Sequence, residues 1–333
     1  MKVSVIVPVR DEEHSIRELL DSLLKQTRPP DEIVITDGGS VDATPQIIEQ
    51  YMQDGAPVRL IRAGAALPGR GRNLGAAAAT YEWLAFTDAG IRLENNWLET
   101  LLARAAQDDS IDIVYGSWEP VTDTFFKECA AIAYVPPPSP RDGIVARPRF
   151  IASTLLRREA WAKVNGFPED LRSAEDLVFM DRLEAAGQRA VFEPRAQVHW
   201  NLRPTLGTTF KRFLVYSRNN IRAGLWRQWQ ATILFRYAVL LGMLVLALIV
   251  DPRWVWVPVG AWLLMLAARA VVSIRRNRHC YPASLFHNLV RASMIMSLLA
   301  VLDTAAIIGS LQWLLWDAFR WSRKTAVEAG NGA

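Results

Sequence analysis

The sequence predicts an α/β domain with a mostly parallel sheet flanked by helices, followed by C-terminal membrane helices. Three observations carry that expectation. Short β-branched runs alternate with segments of helical apolar spacing through the first two hundred residues, charged residues crowd the first two-thirds of the chain, and Leu/Val/Ala/Trp-rich sequence takes over after about Trp229. At 333 residues the chain has room for a catalytic domain and an appendage.

Taken in order, VSVIVPV reads as a strand ending near Pro8, and HSIRELLDSLLKQT as a helix with Ile16, Leu19, Leu20, Leu23 and Leu24 on one face. EIVITDGG is a second strand closed by a glycine turn. Asp42-Ala43-Thr44-Pro45 opens a second helix, VRLIRA makes a third strand, residues 73–81 an Ala-rich helix, and WLAFTDAG a fourth strand. NNWLETLLARAAQ then reads as a helix and IDIVYGSWEPV as a strand. Four prolines between Tyr134 and Pro140 remove donors and fix φ, so that stretch is expected to be a loop over the site. The remaining pattern is strand (STLLRR), helix (EAWAKV), the turn Asn165-Gly166-Phe167-Pro168, helix (EDLVFMDRLEAAG) and strand (RAVFEP).

Residues 233–250, 254–272 and 292–316 are each close to the ~20 apolar residues that cross a bilayer. Asp251-Pro252-Arg253 joins the first two as a hairpin. Arg275, Arg276 and Arg278 beyond the second fit a cytoplasmic flank, and VSVIVPV is too short for a signal sequence. The expected location is therefore the inner (cytoplasmic) membrane, with the catalytic domain on the cytoplasmic side. Trp226, Trp229, Trp254, Trp256, Trp313, Trp316 and Trp321 sit at segment ends, as an interfacial belt would. The third segment contains Asp303 and precedes Arg320, Arg323 and Lys324, which leaves open whether it crosses the bilayer or lies in its interface. The expected division is a catalytic domain at 1–225, with a basic interfacial helix at 208–228, a membrane region at 229–320 and a polar tail at 321–333. In the basic helix, Lys211, Arg212, Arg218 and Arg222 fit either anionic lipid or a phosphate-bearing ligand.

Composition excludes several classes. Cys129 and Cys280 lie far apart and form neither a disulfide framework nor a metal spacing. The net charge of +4 comes from no single basic run in the soluble part, so nucleic acid is not an expected partner. Gly69, Gly71 and Gly75 do not have the dinucleotide-loop spacing and do not follow the first strand, which argues against a dehydrogenase.

The chemistry is distributed over strand ends. Pro8, Arg10 and Glu12 close the first strand, Asp37 and Gly39 the second, Arg72 and Asn73 precede a helix, and Asp88-Ala89-Gly90 close a later strand. Carboxylates at such ends can accept from a nucleoside or hold a divalent cation, and an arginine near a helix N-terminus can meet phosphate. Trp118-Glu119 at another strand exit is a candidate for the acceptor side.

VSVIVPVRDEE, ITDGGSVDAT, GRGRNLGAAAATYEWLAFTDAG and GFPEDLRSAEDLVFMDRLEAAG, in this order, resemble the motifs of glycosyltransferase family 2, whose fold is GT-A. The resemblance covers about residues 3–200. It implies that Glu12 and Asp37 contact the nucleoside, that Arg72 approaches the diphosphate, and that Asp88 meets the ribose and a bound Mg²⁺ or Mn²⁺. The second aspartate of the D-x-D motif is Gly90 here, which puts metal binding in doubt and makes His199 a candidate substitute ligand. The E-D motif falls on Glu175-Asp176, with Asp176 the implied general base. An inverting transfer needs such a carboxylate facing the acceptor hydroxyl, opposite the leaving diphosphate. The expected reaction moves a sugar from a nucleoside diphosphate sugar to a membrane lipid or lipid-linked acceptor, polyprenyl- and glycan-linked ones included. The rivals are a sugar-nucleotide nucleotidyltransferase and a non-catalytic membrane scaffold.

Overall fold

The computed structural model describes residues 1–141 and 143–317. The expected polar tail at 321–333, with Trp321, Arg323 and Lys324, lies outside them, as does Arg320. The chain divides into two compact units, Met1–Val121 with Pro138–Asn201, and Thr122–Pro137 with the described residues from Leu202 onward.

The first unit begins with β1 (Val3–Val9), α1 (Ile16–Leu24), β2 (Glu32–Asp37), α2 (Thr44–Gln53), β3 (Val58–Arg62), α3 (Pro68–Ala78), β4 (Trp83–Phe86), β5 (Ile91–Leu93), α4 (Trp97–Ala105) and β6 (Ile113–Val121). The chain passes through α5 (Phe125–Tyr134), which belongs to the second unit. It returns with the hairpin β7 (Ser139–Arg141) and β8 (Ile144–Ala146), then β9 (Thr154–Arg157), α6 (Arg158–Lys163), α7 (Glu175–Ala185) and β10 (Ala190–Asn201). Eight strands form one sheet in the order β3-β2-β1-β4-β9-β6-β10-β5. The first four pair in parallel, as do β6 and β10, while β9 and β5 run antiparallel to their neighbours. Val9 lies opposite Asp37 and Ile6 opposite Phe86, so the carboxyl ends of β1, β2 and β4 share one edge.

One core joins Ile6, Val34, Leu84, Phe86, Ile113 and Tyr115 of the sheet to Ala76 of α3 and to Phe179, Met180 and Leu183 of α7. Strand alternation sends Val5, Val7, Ile33 and Ile35 the other way, where they are also fully buried. Burial on both faces is why these strands read as continuous apolar runs.

The second unit continues from α5 with α8 (Leu206–Arg222), α9 (Trp226–Trp229), α10 (Ala231–Val250), α11 (Trp256–Arg276) and α12 (Leu285–Gln312). Thr124, the Thr205/Thr208 pair and Ser284 cap α5, α8 and α12 through side-chain oxygens. The Asp251 carboxylate accepts from the Arg253 N–H at 2.9 Å and closes the turn between α10 and α11. Helices at Ala231–Val250, Pro252–Arg276 and Leu285–Asp317 are long and apolar enough to cross a membrane.

Four sequence expectations need correction. The helix expected at 73–81 begins at Pro68, so Arg72 and Asn73 lie within it rather than before it. Pro68 occupies the first turn, where a missing N–H costs nothing. The strand expected as RAVFEP runs on to Asn201 through an irregularity between Glu193 and Gln197. The proline-rich stretch is not all loop, because Tyr134 ends α5 and Ser139 and Pro140 join a hairpin. Finally, α5 was not foreseen.

Candidate active site

Gly71 and Gly75 bring α3 against the sheet, and Gly69 brings it against the loop that precedes α7. A Cβ on Gly75 would lie 2.6 Å from Ile6 Cγ2, one on Gly71 3.1 Å from Pro8 Cβ, and one on Gly69 2.0 Å from the Pro168 carbonyl. The glycine pattern that failed as a dinucleotide loop is thus a packing surface. It draws Arg72 down onto the carboxyl edge of the sheet.

Arg72 is buried and acts as a fork between two carboxylates. Its Nη1 donates to Glu175 Oε1 and its Nη2 to Asp88 Oδ1, each at 2.7 Å. The guanidinium rests over the Phe167 ring, 5.5 Å from its centroid, and Phe167 stacks on Phe179. Arg72 Nε and Glu175 Oε2 are buried without a hydrogen-bond partner among the described residues. A planar fork can span two carboxylates in a way a point charge cannot. Asp88 at the end of β4 and Glu175 at the start of α7 are held together by this one cation.

Asp176 stands beside them. Burial, then the neighbouring Glu175 carboxylate, push its carboxyl up to about 7, against the opposing pull of Arg72. Its Oδ1 accepts from the Leu177 N–H at 2.9 Å. The residue before the helix, Ala174, has φ 68, a left-handed conformation that costs a residue with a Cβ roughly 1 kcal/mol. That bend sets the direction from which Glu175 and Asp176 enter.

The β1 and β2 exits form a second group along the same edge. Asp37 is buried and accepts from the Ser40 N–H at 3.0 Å and its hydroxyl at 2.6 Å. Asp11, at φ 54, receives the Val41 N–H, and the Glu12 N–H donates to Thr44 Oγ1 at 2.8 Å. The Glu12 carboxylate accepts from Ser15, Arg10 is exposed beside Asp11, and Gly39 has φ 83. Among the described residues, Glu12 and Asp37 bond within these loops and not to the Arg72 cluster.

Asn73 has all of its amide engaged. Its Nδ2 donates to the Phe167 carbonyl and Glu169, each at 2.9 Å, and its Oδ1 accepts from the Phe167 N–H and Trp161. The side chain ties α3 to the loop that delivers α7.

The D-x-D departure has a conformational side. Asp88-Ala89-Gly90 turns with Gly90 at φ 78 in open space, a backbone that an aspartate would adopt only under strain. His199 Nε2 pairs with Glu94 at 2.6 Å, and a cavity of about 130 Å³ is lined by Gly90 and His199 among others. No cluster of three or more His, Cys, Asp or Glu side chains suited to a metal exists among the described residues. A Mg²⁺ or Mn²⁺ ion, which takes about six oxygen ligands, would find Asp88 and otherwise depend on ligand oxygens and water. The side chains present do not by themselves fit a resident cation.

An aromatic wall was only half legible in the sequence. Trp118 meets Phe150 at 5.2 Å and Trp200 at 5.7 Å between ring centroids. Buried Arg147 lies 5.4 Å over Trp118 and binds Glu119 at 2.6 Å. Arg147 and Phe150 carried no local signal, because their partners lie 28 or more residues away.

The family model for Glycosyl transferase family 2 matches residues 4–159. The chain carries a glycosyltransferase family 2 domain. The uncharacterized glycosyltransferase EpsJ of Bacillus subtilis is 29% identical over 194 residues, covering 53% of this chain and 54% of its own. The poly(ribitol-phosphate) beta-N-acetylglucosaminyltransferase TarS of Staphylococcus aureus is 32% identical over 191 residues, covering 54% of this chain and 32% of its own. The chain thus spans about half or less of these curated relatives. Among solved structures, the mannosyltransferase PcManGT of Pyrobaculum calidifontis, in complex with GDP-Man and Mn²⁺, superposes with a TM-score of 0.58 at 18% identity, covering 95% of this chain and 88% of its own. That likeness concerns the fold, and the family 2 domain is GT-A-like.

Proposed function

We propose that this chain is a membrane-bound inverting glycosyltransferase that moves a sugar from a nucleoside diphosphate sugar to a hydroxyl presented at the membrane surface. The observation that carries the reading is the Arg72–Asp88–Glu175 ion triad with Asp176 beside it, at the edge where β1, β2 and β4 end.

In this reading Asp37 and Glu12 receive the nucleoside, and Asp88 receives the ribose. Arg72 holds Asp88 and Glu175 in place, and its unpaired Nε leaves one donor for a diphosphate oxygen. Asp176, ionised above about pH 7, removes the acceptor proton as the hydroxyl oxygen attacks the anomeric carbon and the nucleoside diphosphate leaves. A base with pKa near working pH is half-populated and still strong enough to take a proton. The three apolar helices support a membrane-associated acceptor, and the Trp118–Phe150–Trp200 wall supplies an apolar face for it.

Thermal-shift titration with UDP-, GDP- and dTDP-sugars, with and without Mn²⁺, tests the donor class. One nucleotide family should raise the Tm, and NMR of the product should show the opposite anomer from the donor. Retained anomeric configuration would remove the single-displacement mechanism. Failure of every nucleoside diphosphate to bind would remove the enzyme reading.

A further inference from the structure

We propose that α12, although long and apolar enough to cross a membrane, lies in the membrane interface across the base of the α10–α11 hairpin and does not span. The proposal rests on the reading of α10 and α11 as spanning helices.

The argument is geometric and lies wholly within the second unit. Helices α10 and α11 contain 20 and 21 residues and are joined by a short turn, so Ala231 and Arg276 mark the same end of the hairpin. Near the start of α12, Arg291 ion-pairs with Glu128 of α5 and donates to the Tyr281 carbonyl at 3.0 Å, in the connection that follows α11. Near its end, Gly309 lies against α8, where an added Cβ would sit 2.8 Å from Ser217 Cβ. The Ser217 carbonyl accepts from Gln230, the residue before α10, at 3.1 Å. Arg218 grips Asp317 through two bonds of 2.5 and 2.9 Å.

Arg291 and Gly309 are eighteen residues apart, about 27 Å along a helix, which is close to the thickness of a hydrocarbon core. Yet one is anchored beside the base of α11 and the other beside the base of α10. A helix spanning alongside the hairpin would have one of these contacts at the far end. Between them, Asp303 bonds to Arg269 of α11 and accepts from Tyr237 of α10 at 3.2 Å. Both residues lie six or seven positions inside the hairpin from its base.

Both ends of α12 are packed on helices of the same unit, α5 at its start and α8 at its end. The partner this surface fits is the headgroup–acyl boundary of a bilayer, reached by exposed Phe286, Leu289, Leu311 and Leu315.

Cysteine accessibility decides the matter. Cys129 is buried and Cys280, between α11 and α12, is exposed. In a Cys129→Ala background, native Cys280 serves as one reporter. Arg253→Cys and Trp316→Cys, each with Cys280→Ser, supply the others; Trp316 is exposed at the described end of the apolar segment that contains α12. Sealed vesicles of both orientations are treated with a membrane-impermeant maleimide. Residues 280 and 316 should label from one face and 253 from the other, each by at least tenfold. Labelling of 316 from the face of 253 would overturn the proposal, because α12 would then cross. Labelling of 253 from the face of 280 would overturn it differently, by removing the spanning hairpin on which it rests.

Discussion

The proposed reaction concentrates its proton transfer in one side chain, Asp176. Its folded pKa near 7 stands above the ordinary value of about 3.9, so the folded state binds the proton more tightly than the unfolded chain. Folding is unpenalised below about pH 4, loses stability as pH rises toward 7, and carries the full penalty above it. Asp176→Asn should therefore raise the Tm by a few degrees at pH 8 and hardly change it at pH 4, which differential scanning calorimetry can check. Arg72 makes the opposite case. Arg72→Met leaves Asp88 and Glu175 facing each other without their cation and should destabilise the domain by about 3–5 kcal/mol. Arg72→Lys should recover only part of this, since one ammonium cannot fork to both carboxylates, and urea unfolding would rank the three proteins. These residues were legible as a list because local motifs name them. Their pairing was not, since Arg72 and Glu175 stand 103 positions apart.

Helix α3 shows what motif reading misses. Its glycines looked like a failed phosphate loop, yet they are the surface by which the helix seats against β1 and carries Arg72 to the sheet edge. Gly75→Val would drive a branched side chain into Ile6 and should cost about 1–3 kcal/mol, with loss of donor affinity as α3 lifts. Thermal unfolding and nucleotide titration of the same sample would separate the two effects. The β-branched strands and amphipathic helices were readable because burial imposes periods of 2 and 3.6 along the chain. The start of α3, the extension of β10 and the existence of α5 were not, because glycine packing, sheet pairing and long-range partners fixed them.

The whole molecule couples a GT-A-like domain to an apolar unit whose buried carboxylate, Asp303, is matched within that unit. Asp303, which made the third apolar segment ambiguous in sequence, is fully buried and paired with Arg269. Arg269→Ala should leave that carboxylate uncompensated and lower thermal stability in detergent, while adding Asp303→Ala should restore much of the loss. The central claim remains that one carboxylate serves as base at a donor site built from distant segments. Its most direct test is donor Kd and single-turnover transfer for wild type and Asp176→Asn at pH 8, using the nucleotide sugar that stabilises the protein. An unchanged Kd with transfer reduced about 10²–10⁴-fold is the predicted result. Transfer at the wild-type rate would contradict it.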